Sequence, residues 1–199
     1  MSFREILGQE NAIGLIKQAF SRDRIPQAWL FLGQKSVGKY KTAIALTQYL
    51  NCRMNADDAC GKCDFCIQIV EQNFMDFQVI SPEGNFIKID QIRKSIHWLN
   101  LHSDQSKTRV MILNGAQFLG KEAANAFLKT LEEPTPNTIL ILIAESLKQL
   151  QETIVSRCQT VRFNPLSDEI SKLILLKNTD LSSQSINLLG AISMGSLKV

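Results

Sequence analysis

The sequence predicts an α/β fold in which helices flank a parallel sheet. Short apolar runs alternate along the chain with segments of helical periodicity, and this alternation is typical of βαβ units. The apolar runs are continuous, as expected for strands that are buried on both faces of a parallel sheet. We expect five strands, at residues 29–32, 77–80, 110–113, 139–144 and 160–163.

Three helices are predicted to alternate with these strands. Each shows apolar residues that recur at helical spacing and would share one buried face. Two prolines, Pro134 and Pro136, would end the third helix because proline cannot continue the hydrogen-bond ladder. The faces consist of Ile13, Ile16 and Phe20 in the first helix, Ile89, Ile92, Ile96 and Leu99 in the second, and Leu119, Ala123, Phe127 and Leu131 in the third.

The character of the chain changes after residue 163, where strand signals give way to helical segments. Asn164-Pro165 is a natural boundary, because a residue that precedes proline is disfavoured in a helix. We therefore predict an α/β domain at residues 1–164 and a small all-helical domain at residues 165–199. The sequence stops directly after Gly195-Ser196 without a finishing element, so we expect a fragment of a longer protein.

Composition and charge exclude several classes of protein. Of the 199 residues, 45% are hydrophobic and 21% charged, which argues against disorder. The net charge of +3 is too small to indicate a nucleic-acid or membrane partner by itself. No apolar run reaches the roughly 18–20 residues of a membrane span, and the charged N-terminus is unlike a signal peptide. We expect a soluble cytoplasmic protein with no membrane partner.

A glycine-lysine loop follows the first predicted strand. Gly33, four further residues, Gly38 and Lys39 reproduce the spacing of a phosphate-binding loop, which holds phosphates with backbone N–H groups and the lysine. The pattern continues with Ser or Thr, whose hydroxyl binds Mg²⁺, but here Tyr40 takes that place, and its phenol reaches too far to substitute. The loop predicts an anion site at a helix N-terminus and leaves ATP or ADP binding open.

Four of the five cysteines fall within fifteen residues, at Cys52, Cys60, Cys63 and Cys66. In a reducing compartment, such crowding suits one tetrahedral ion better than disulfide bonds. We predict a structural Zn²⁺ held by four thiolates in a module at residues 51–67.

The surroundings of the cysteines bear on the alternatives. Lys62 and Arg53 would offset the negative charge of the thiolates. The bacterial iron–sulfur signature would continue with a further Cys and Pro, where this chain has Val70 and Glu71. Unmetallated core cysteines would not suit so polar a segment. Zinc remains the favoured interpretation.

These features occur together in one known family. The chain resembles the bacterial DNA polymerase III clamp-loader subunits of the AAA+ class over nearly its whole length. The resemblance implies an AAA+ P-loop type sheet, an inserted zinc-binding module and a helical lid domain, with the family's C-terminal collar outside this chain. The motifs that carry it are, in order, "LGQENAIGLIKQAF", "RIPQAWLFLG", the glycine-lysine loop, the four cysteines, "IDQIR", "EAANAFLKTLEEP" and "TIVSRC".

The same resemblance indicates which kind of subunit this is. The gamma/tau members are ATP-hydrolysing motors, whereas the delta-prime member typically does not hydrolyse ATP. Motors carry Asp-Glu after the third strand, to position Mg²⁺ and polarise water, and this chain has Asn114-Gly115. The polar residue that senses the terminal phosphate would lie near Ala144-Glu145. Ala144 cannot donate a hydrogen bond, and the carboxylate of Glu145 would repel a phosphate. Together with Tyr40, these departures imply a non-hydrolysing subunit of the delta-prime type without a Mg²⁺ site.

The "SRC" segment supplies the remaining candidate. In the family, its arginine contacts the phosphate of ATP bound by a neighbouring subunit, so the resemblance implies that Arg157 acts in trans, with Cys158 as a small core residue. It also implies a heteropentamer with gamma/tau and delta subunits, and indirect contact with the sliding clamp and primer-template DNA. The implied function is loading of the clamp on primed DNA within the DNA polymerase III holoenzyme.

Two alternatives stay open, namely an ATP-hydrolysing gamma/tau-like motor and a zinc-ribbon module that binds DNA directly. Glu132 and Glu133 could form a carboxylate pair, lie in an interface loop or be merely solvated. Five basic residues could face DNA or form a solvated surface: Arg93, Lys94, Lys107, Arg109 and Lys121.

Overall fold

The computed structural model describes residues 2–22, 25–54, 57–101 and 107–178, with only the backbone of 177 and 178. Most of the predicted helical domain, residues 179–199, therefore lies outside the described residues. No helix in the described part of the chain combines the length and hydropathy that a membrane crossing requires.

Five parallel strands form one sheet in the order β2-β3-β4-β1-β5. The central strand β1 pairs on both sides, so that Phe31 lies opposite Ile143 of β4 and Val161 of β5. All five predicted strands are confirmed, with ends that differ by at most one residue. Their bounds are β1 Ala28–Leu32, β2 Phe77–Ile80, β3 Arg109–Asn114, β4 Thr138–Ala144 and β5 Gln159–Arg162.

The predicted helices are also present, with one correction. Leu119 lies outside the third of them, because the helix begins at Lys121 after the extended residue Gly120, although Leu119 still packs against the same core. The α-helices are α1 Glu10–Ser21, α2 Lys39–Asn51, α3 Asp64–Val70, α4 Ile89–Leu99, α5 Lys121–Glu132, α6 Glu152–Val155 and α7 Asp168–Asn178. Short 3-10 turns occur at Phe3–Glu5, Ala116–Phe118 and Leu147–Gln149.

The core consists of two layers, one on each face of the sheet. Alternate residues of a strand point to opposite faces, so Trp29 and Phe31 pack with α1 and α2, while Leu30 and Leu32 contribute to the layer that contains α4 and α5. Strand β4 is buried at every position. Fully burying one such large side chain contributes about 1.5–3 kcal/mol. This double burial explains why the strands read as continuous apolar runs.

Arg109 corrects one expectation from the sequence. It cannot face DNA or solvent, because it is only 7% exposed and forms an ion pair with Asp76 at 2.9 Å. Its guanidinium also donates to the carbonyl oxygens of Trp98 (2.7 Å) and Leu99 (3.1 Å) at the end of α4. The residue therefore closes a helix C-terminus, where a positive charge is favourable.

Candidate functional site

A cleft of about 750 Å³ opens at the carboxyl ends of β1, β3 and β4. These strands are neighbours in the sheet, so the loops that follow them meet at one edge, which is where ligands bind in parallel α/β sheets. The glycine-lysine loop forms part of its lining, together with residues 5–7, with Leu166, and with Ile174 of α7.

The two glycines of the loop meet different requirements. A Cβ on Gly33 would lie 2.5 Å from the backbone oxygen of Phe163, so only glycine allows β1 and the chain after β5 to approach this closely. Gly38 has a φ of +100° immediately before α2, a conformation that glycine adopts without strain. No side chain among the described residues caps the N-terminus of α2, which leaves that end open towards the cleft.

Lys39 is folded back onto its own loop. Its ammonium group donates to the carbonyl oxygens of Gly33, at 2.5 Å, and of Gln34. Lys39 is only 6% exposed. This burial lowers the pKa of the amine to about 8, while the negative charge of Glu145 acts in the opposite direction. The lysine that was expected to bind an anion therefore contacts two backbone carbonyl oxygens of its own loop.

The residues at the positions that the family resemblance assigns to a motor's catalytic groups come together in the structure. Asn114, Gly115, Ala144 and Glu145 all line the cleft. Asn114 and Gly115 supply neither a charge nor a base at the end of β3. Glu145 instead brings a carboxylate into the cleft.

The Glu145 carboxylate is held by two neighbours. It accepts a hydrogen bond from Nε2 of Gln117 at 3.0 Å and lies 3.6 Å from the ammonium of Lys35. Together with its effect on Lys39, these contacts mean that the positive charges of the loop are partly neutralised within the chain. A phosphate that entered the cleft would meet this carboxylate.

The hydroxyl of Tyr40 is engaged elsewhere. It accepts a hydrogen bond from Nε2 of Gln72, which lies beyond the end of α3, at 3.3 Å. Burial raises the pKa of this phenol, so the hydroxyl stays protonated. A neutral phenol held by Gln72 is a poor substitute for the Ser or Thr hydroxyl of a metal-binding loop.

Sequence reasoning missed the apolar side of the cleft. Ile6 and Leu7 from the N-terminal segment, and Leu166 and Ile174 from the α7 region, line it opposite the polar loop. In the sequence these residues belong to two short apolar runs at opposite ends of the described chain. No local pattern indicates that the two runs come together. Such a surface could pack against a flat apolar group such as a purine base.

Gln9 links the parts that surround the cleft. Its side chain is buried, and its Nε2 donates to the backbone oxygens of Val37 (3.0 Å) and Asn164 (2.8 Å). Its Oε1 accepts from the N–H of Asn164 at 3.1 Å. One side chain therefore connects the start of α1, the glycine-lysine loop and the chain after β5.

The four cysteines form the second candidate site. Cys52 directly follows α2, Cys60 lies in the loop, and Cys63 and Cys66 lie at the start of α3. Their four sulfur atoms lie within 4.8 Å of one another, and Sγ of Cys60 is 4.0 Å from Sγ of Cys66. Sulfurs bound tetrahedrally at the usual zinc–sulfur distance of about 2.3 Å would be roughly 3.8 Å apart. The cluster therefore has the size and donor set to bind one metal ion.

Backbone N–H groups point at these sulfurs. Sγ of Cys60 accepts from the N–H of Lys62 (3.4 Å) and of Cys63 (3.3 Å), and these contacts lower the pKa of Cys60 to about 6. Burial instead raises the pKa of Cys66. A cation bound among the sulfurs would favour the thiolate form of both. Such N–H contacts are the outer interactions that orient metal ligands.

The cysteine module is also tied to the N-terminus. The carboxylate of Asp58, which lies between Cys52 and Cys60 in sequence, accepts hydrogen bonds from the backbone N–H groups of Phe3 and Arg4, each at 3.2 Å. The residues directly after Arg4 line the cleft. The two candidate sites are therefore joined through a short stretch of backbone.

Arg157 lies outside the cleft, just after α6. Its guanidinium is engaged by Glu132, the last residue of α5: Nε donates to Oε1 at 2.9 Å and Nη2 donates to the same oxygen at 2.5 Å. Glu132 therefore pairs with Arg157 and not with Glu133. Cys158 packs against the core away from the other cysteines, as predicted, and burial raises its pKa to about 12.

The family model described as "DNA polymerase III, delta subunit" matches residues 8–167. The delta′ subunit of DNA polymerase III from Bacillus subtilis is 34% identical over 158 residues, which cover 79% of this chain and 48% of the relative. The gamma subunit from Buchnera aphidicola (Schizaphis graminum) is 32% identical over 169 residues, which cover 84% of this chain and 46% of the relative.

The solved structures agree on the fold. A DNA polymerase III gamma subunit-related protein from Thermotoga maritima superposes with a TM-score of 0.59 at 24% identity, over 92% of this chain and 53% of that structure. The expected AAA+ P-loop type sheet is thereby confirmed, whereas the helical lid domain stays a prediction. The chain spans about half the length of the curated relatives it matches.

Proposed function

Because this chain belongs to the DNA polymerase III, delta subunit family, we propose that it is a clamp-loader subunit of the delta-prime type. In this proposal it helps to load the sliding clamp on primed DNA and does not hydrolyse ATP. Its own contribution to hydrolysis is Arg157, which acts on ATP bound by a neighbouring motor subunit.

The chemistry of the cleft carries the first half of this proposal. Phosphoryl transfer needs a metal ion, a group that positions the attacking water and donors for the phosphates. The loop at Gly33, Gly38 and Lys39 offers donors, but Asn114 and Gly115 stand where a motor needs carboxylates, and the Tyr40 hydroxyl is bonded to Gln72. The cleft is suited to hold a nucleotide or another anion weakly, and not to hydrolyse it.

The position of Arg157 supports the second half. It is not among the residues that line the chain's own cleft, and one third of its side chain is exposed. A guanidinium keeps its charge and presents several donors, which suits it to stabilise charge on a transferring phosphate. An arginine that cannot serve its own site is available to a neighbouring subunit.

The assembly follows from the same proposal. Relatives named as delta′ and as gamma subunits both match this chain at similar identity, which supports a complex built from related subunits. We propose gamma/tau and delta subunits as partners in a heteropentamer, with the sliding clamp and primer-template DNA contacted by the assembled complex. Residues 1–164 would form the AAA+ domain and residues 165–199 the helical lid, of which α7 is described.

Zinc is the metal we propose for the four cysteines. Four thiolates without an open position are typical of structural Zn²⁺, which has no need of other ligands. When bound, it would hold the loop between α2 and α3 in place and supply no catalytic chemistry. The cation–π contact of Arg53 with Phe65, at 4.3 Å from the ring centroid, brings a positive charge to the start of α3.

Replacement of Arg157 by alanine in a reconstituted clamp loader tests the proposal. We expect the DNA-stimulated ATPase rate and clamp loading to fall by at least tenfold, because removal of a group that stabilises transition-state charge typically costs about 10²–10³ in rate. Arg162→Ala is the matched control, since Arg162 is also an exposed arginine. Thermal unfolding of each variant would show that the fold is intact.

Unchanged ATPase and loading rates in Arg157→Ala would overturn the trans role. Mg²⁺-dependent ATP turnover by the isolated chain that disappears in Lys39→Ala would overturn the non-hydrolysing role and favour a gamma/tau-like motor.

A further inference from the structure

The guanidinium of Arg157 is held by acceptors of its own chain. Nε and Nη2 both donate to Glu132, as described above, and Nη1 donates to the backbone oxygen of Thr153 at 2.9 Å and to Oγ of Ser156 at 3.4 Å. All three nitrogens therefore have acceptors before any second subunit is present. A phosphate can bind the Nε–Nη2 edge only if Glu132 gives it up.

Carboxylate and phosphate compete for the same part of an arginine. Both present oxygen atoms to the Nε–Nη2 edge of the guanidinium, and both form charge-assisted hydrogen bonds with it. In this structure that edge is occupied by a carboxylate that belongs to α5. The chain thus holds its arginine with a group that resembles the proposed ligand.

The ion pair is placed where exchange is feasible. The side chains of Arg157 and Glu132 are 33% and 48% exposed, and an exposed pair of this kind contributes only about 0–1 kcal/mol. A phosphate carries more charge than a carboxylate, so at the same distance it attracts the arginine more strongly. The weak ion pair with Glu132 can therefore be exchanged for a contact with phosphate.

The carboxylate itself is anchored. Glu132 ends α5, whose Phe127 and Leu131 are buried in the core, and Pro134 follows two residues later. The backbone that carries Glu132 is therefore held by the core. Its carboxylate stays close enough to compete for the guanidinium with any incoming phosphate.

We propose that Glu132 restrains Arg157 in the free subunit and releases it when a neighbour's nucleotide phosphate takes the place of the carboxylate. Glu132 is then a positioning residue, and it sets the nucleotide concentration at which Arg157 binds the neighbour's phosphate. This inference rests on the trans role of Arg157 proposed above.

Glu132→Gln in the reconstituted complex tests the restraint. The amide keeps the shape of the side chain but removes the charge, so the restraint should weaken by up to about 1 kcal/mol. We expect the apparent KM for ATP to fall about two- to fivefold with kcat unchanged, and the difference from wild type to shrink at high salt, which screens an exposed pair. The matched control is Glu133→Gln, the neighbouring exposed carboxylate, which should leave KM unchanged.

A double variant separates this inference from the proposed function. If Arg157→Ala lowers activity, Glu132→Gln added to it should have no further effect, because no arginine is left to restrain. An unchanged or raised KM in Glu132→Gln, with Arg157→Ala impaired, overturns the restraint alone. An equal fall in KM in Glu133→Gln overturns it as well, by showing a general effect of surface charge. Full activity in Arg157→Ala overturns the proposed function.

Discussion

Gly33 is the residue at which β1 comes closest to the chain that follows β5. Replacement by alanine would place a Cβ 2.5 Å from the oxygen of Phe163, and the backbone would have to move apart. We expect Gly33→Ala to lower the free energy of unfolding by about 2–3 kcal/mol, as strained overpacking does. Urea denaturation at neutral pH measures this directly.

Gly14 provides the control position for Gly33→Ala. It lies within α1, it is exposed, and a Cβ there would meet nothing within 4 Å. Gly14→Ala should therefore stabilise the protein by about 0.5–1 kcal/mol through higher helix propensity. A loss of stability in both variants, or in neither, would contradict the close-approach explanation of Gly33.

Lys39 gives the fold a dependence on pH. Burial lowers the pKa of Lys39 from 10.5 to about 8. Below pH 8 the amine is charged in both the folded and the unfolded state, and its burial cost is fully present. Between about pH 8 and 10.5 the unfolded chain binds more protons, so the free energy of unfolding rises with pH. Relative to Lys39→Met, wild type should gain stability as the pH is raised from 8 to 10.

Unfolding experiments on both proteins at each pH would show this trend. Lys41→Met, which replaces an exposed lysine of the same helix, serves as the comparison. If wild type and Lys39→Met change in parallel across this range, the buried amine does not titrate there.

At the scale of elements, the zinc that we propose for the four cysteines is expected to hold the cysteine module together. Its small interior consists mainly of the cysteines themselves, so the loop has little apolar packing to hold it when the metal is removed. We expect one zinc ion per chain by elemental analysis, and its loss in Cys60→Ser. The melting temperature should then fall by about 5–10 °C, which corresponds to about 2–3 kcal/mol for a chain of this length.

Cys158→Ala tests whether the loss of zinc and of thermal stability is specific to the cysteines of the module. Cys158 is the cysteine that packs against the main core and does not join the cluster. This variant should keep its zinc. Zinc retained by Cys60→Ser, or lost by Cys158→Ala, would show that the four sulfurs are not the ligand set.

At the scale of the whole molecule, the sheet and the cleft could be predicted because their signals are local. Burial on both faces makes each strand a continuous apolar run, and parallel strands bring their carboxyl ends to one edge. The glycine-lysine loop was placed at that edge by this rule, and the resemblance to the clamp-loader family indicated Asn114 and Glu145 as its neighbours. The fold class and the polar side of the cleft were therefore accessible from the sequence.

Contacts between distant side chains were not accessible in this way. Glu132 ends α5 and Arg157 follows α6, 25 residues later, and Arg109 and Asp76 are separated by 33 residues. Charge alone placed Arg109 on the surface, because no local pattern distinguishes a buried, paired arginine from an exposed one. The apolar side of the cleft could not be predicted for the same reason, because its residues come from opposite ends of the described chain.

The hydrogen bonds between Asp58 and the backbone of Phe3 and Arg4 have a practical consequence for work at the bench. Because Glu5, Ile6 and Leu7 come next and line the cleft, we expect loss of the metal that we propose for the cysteines to alter the cleft, so that a partly loaded sample would contain two populations. Nucleotide titrations of such a sample should be biphasic, with amplitudes that follow the zinc content. Metal stoichiometry therefore has to be measured on the same batch before any affinity is assigned to the glycine-lysine loop.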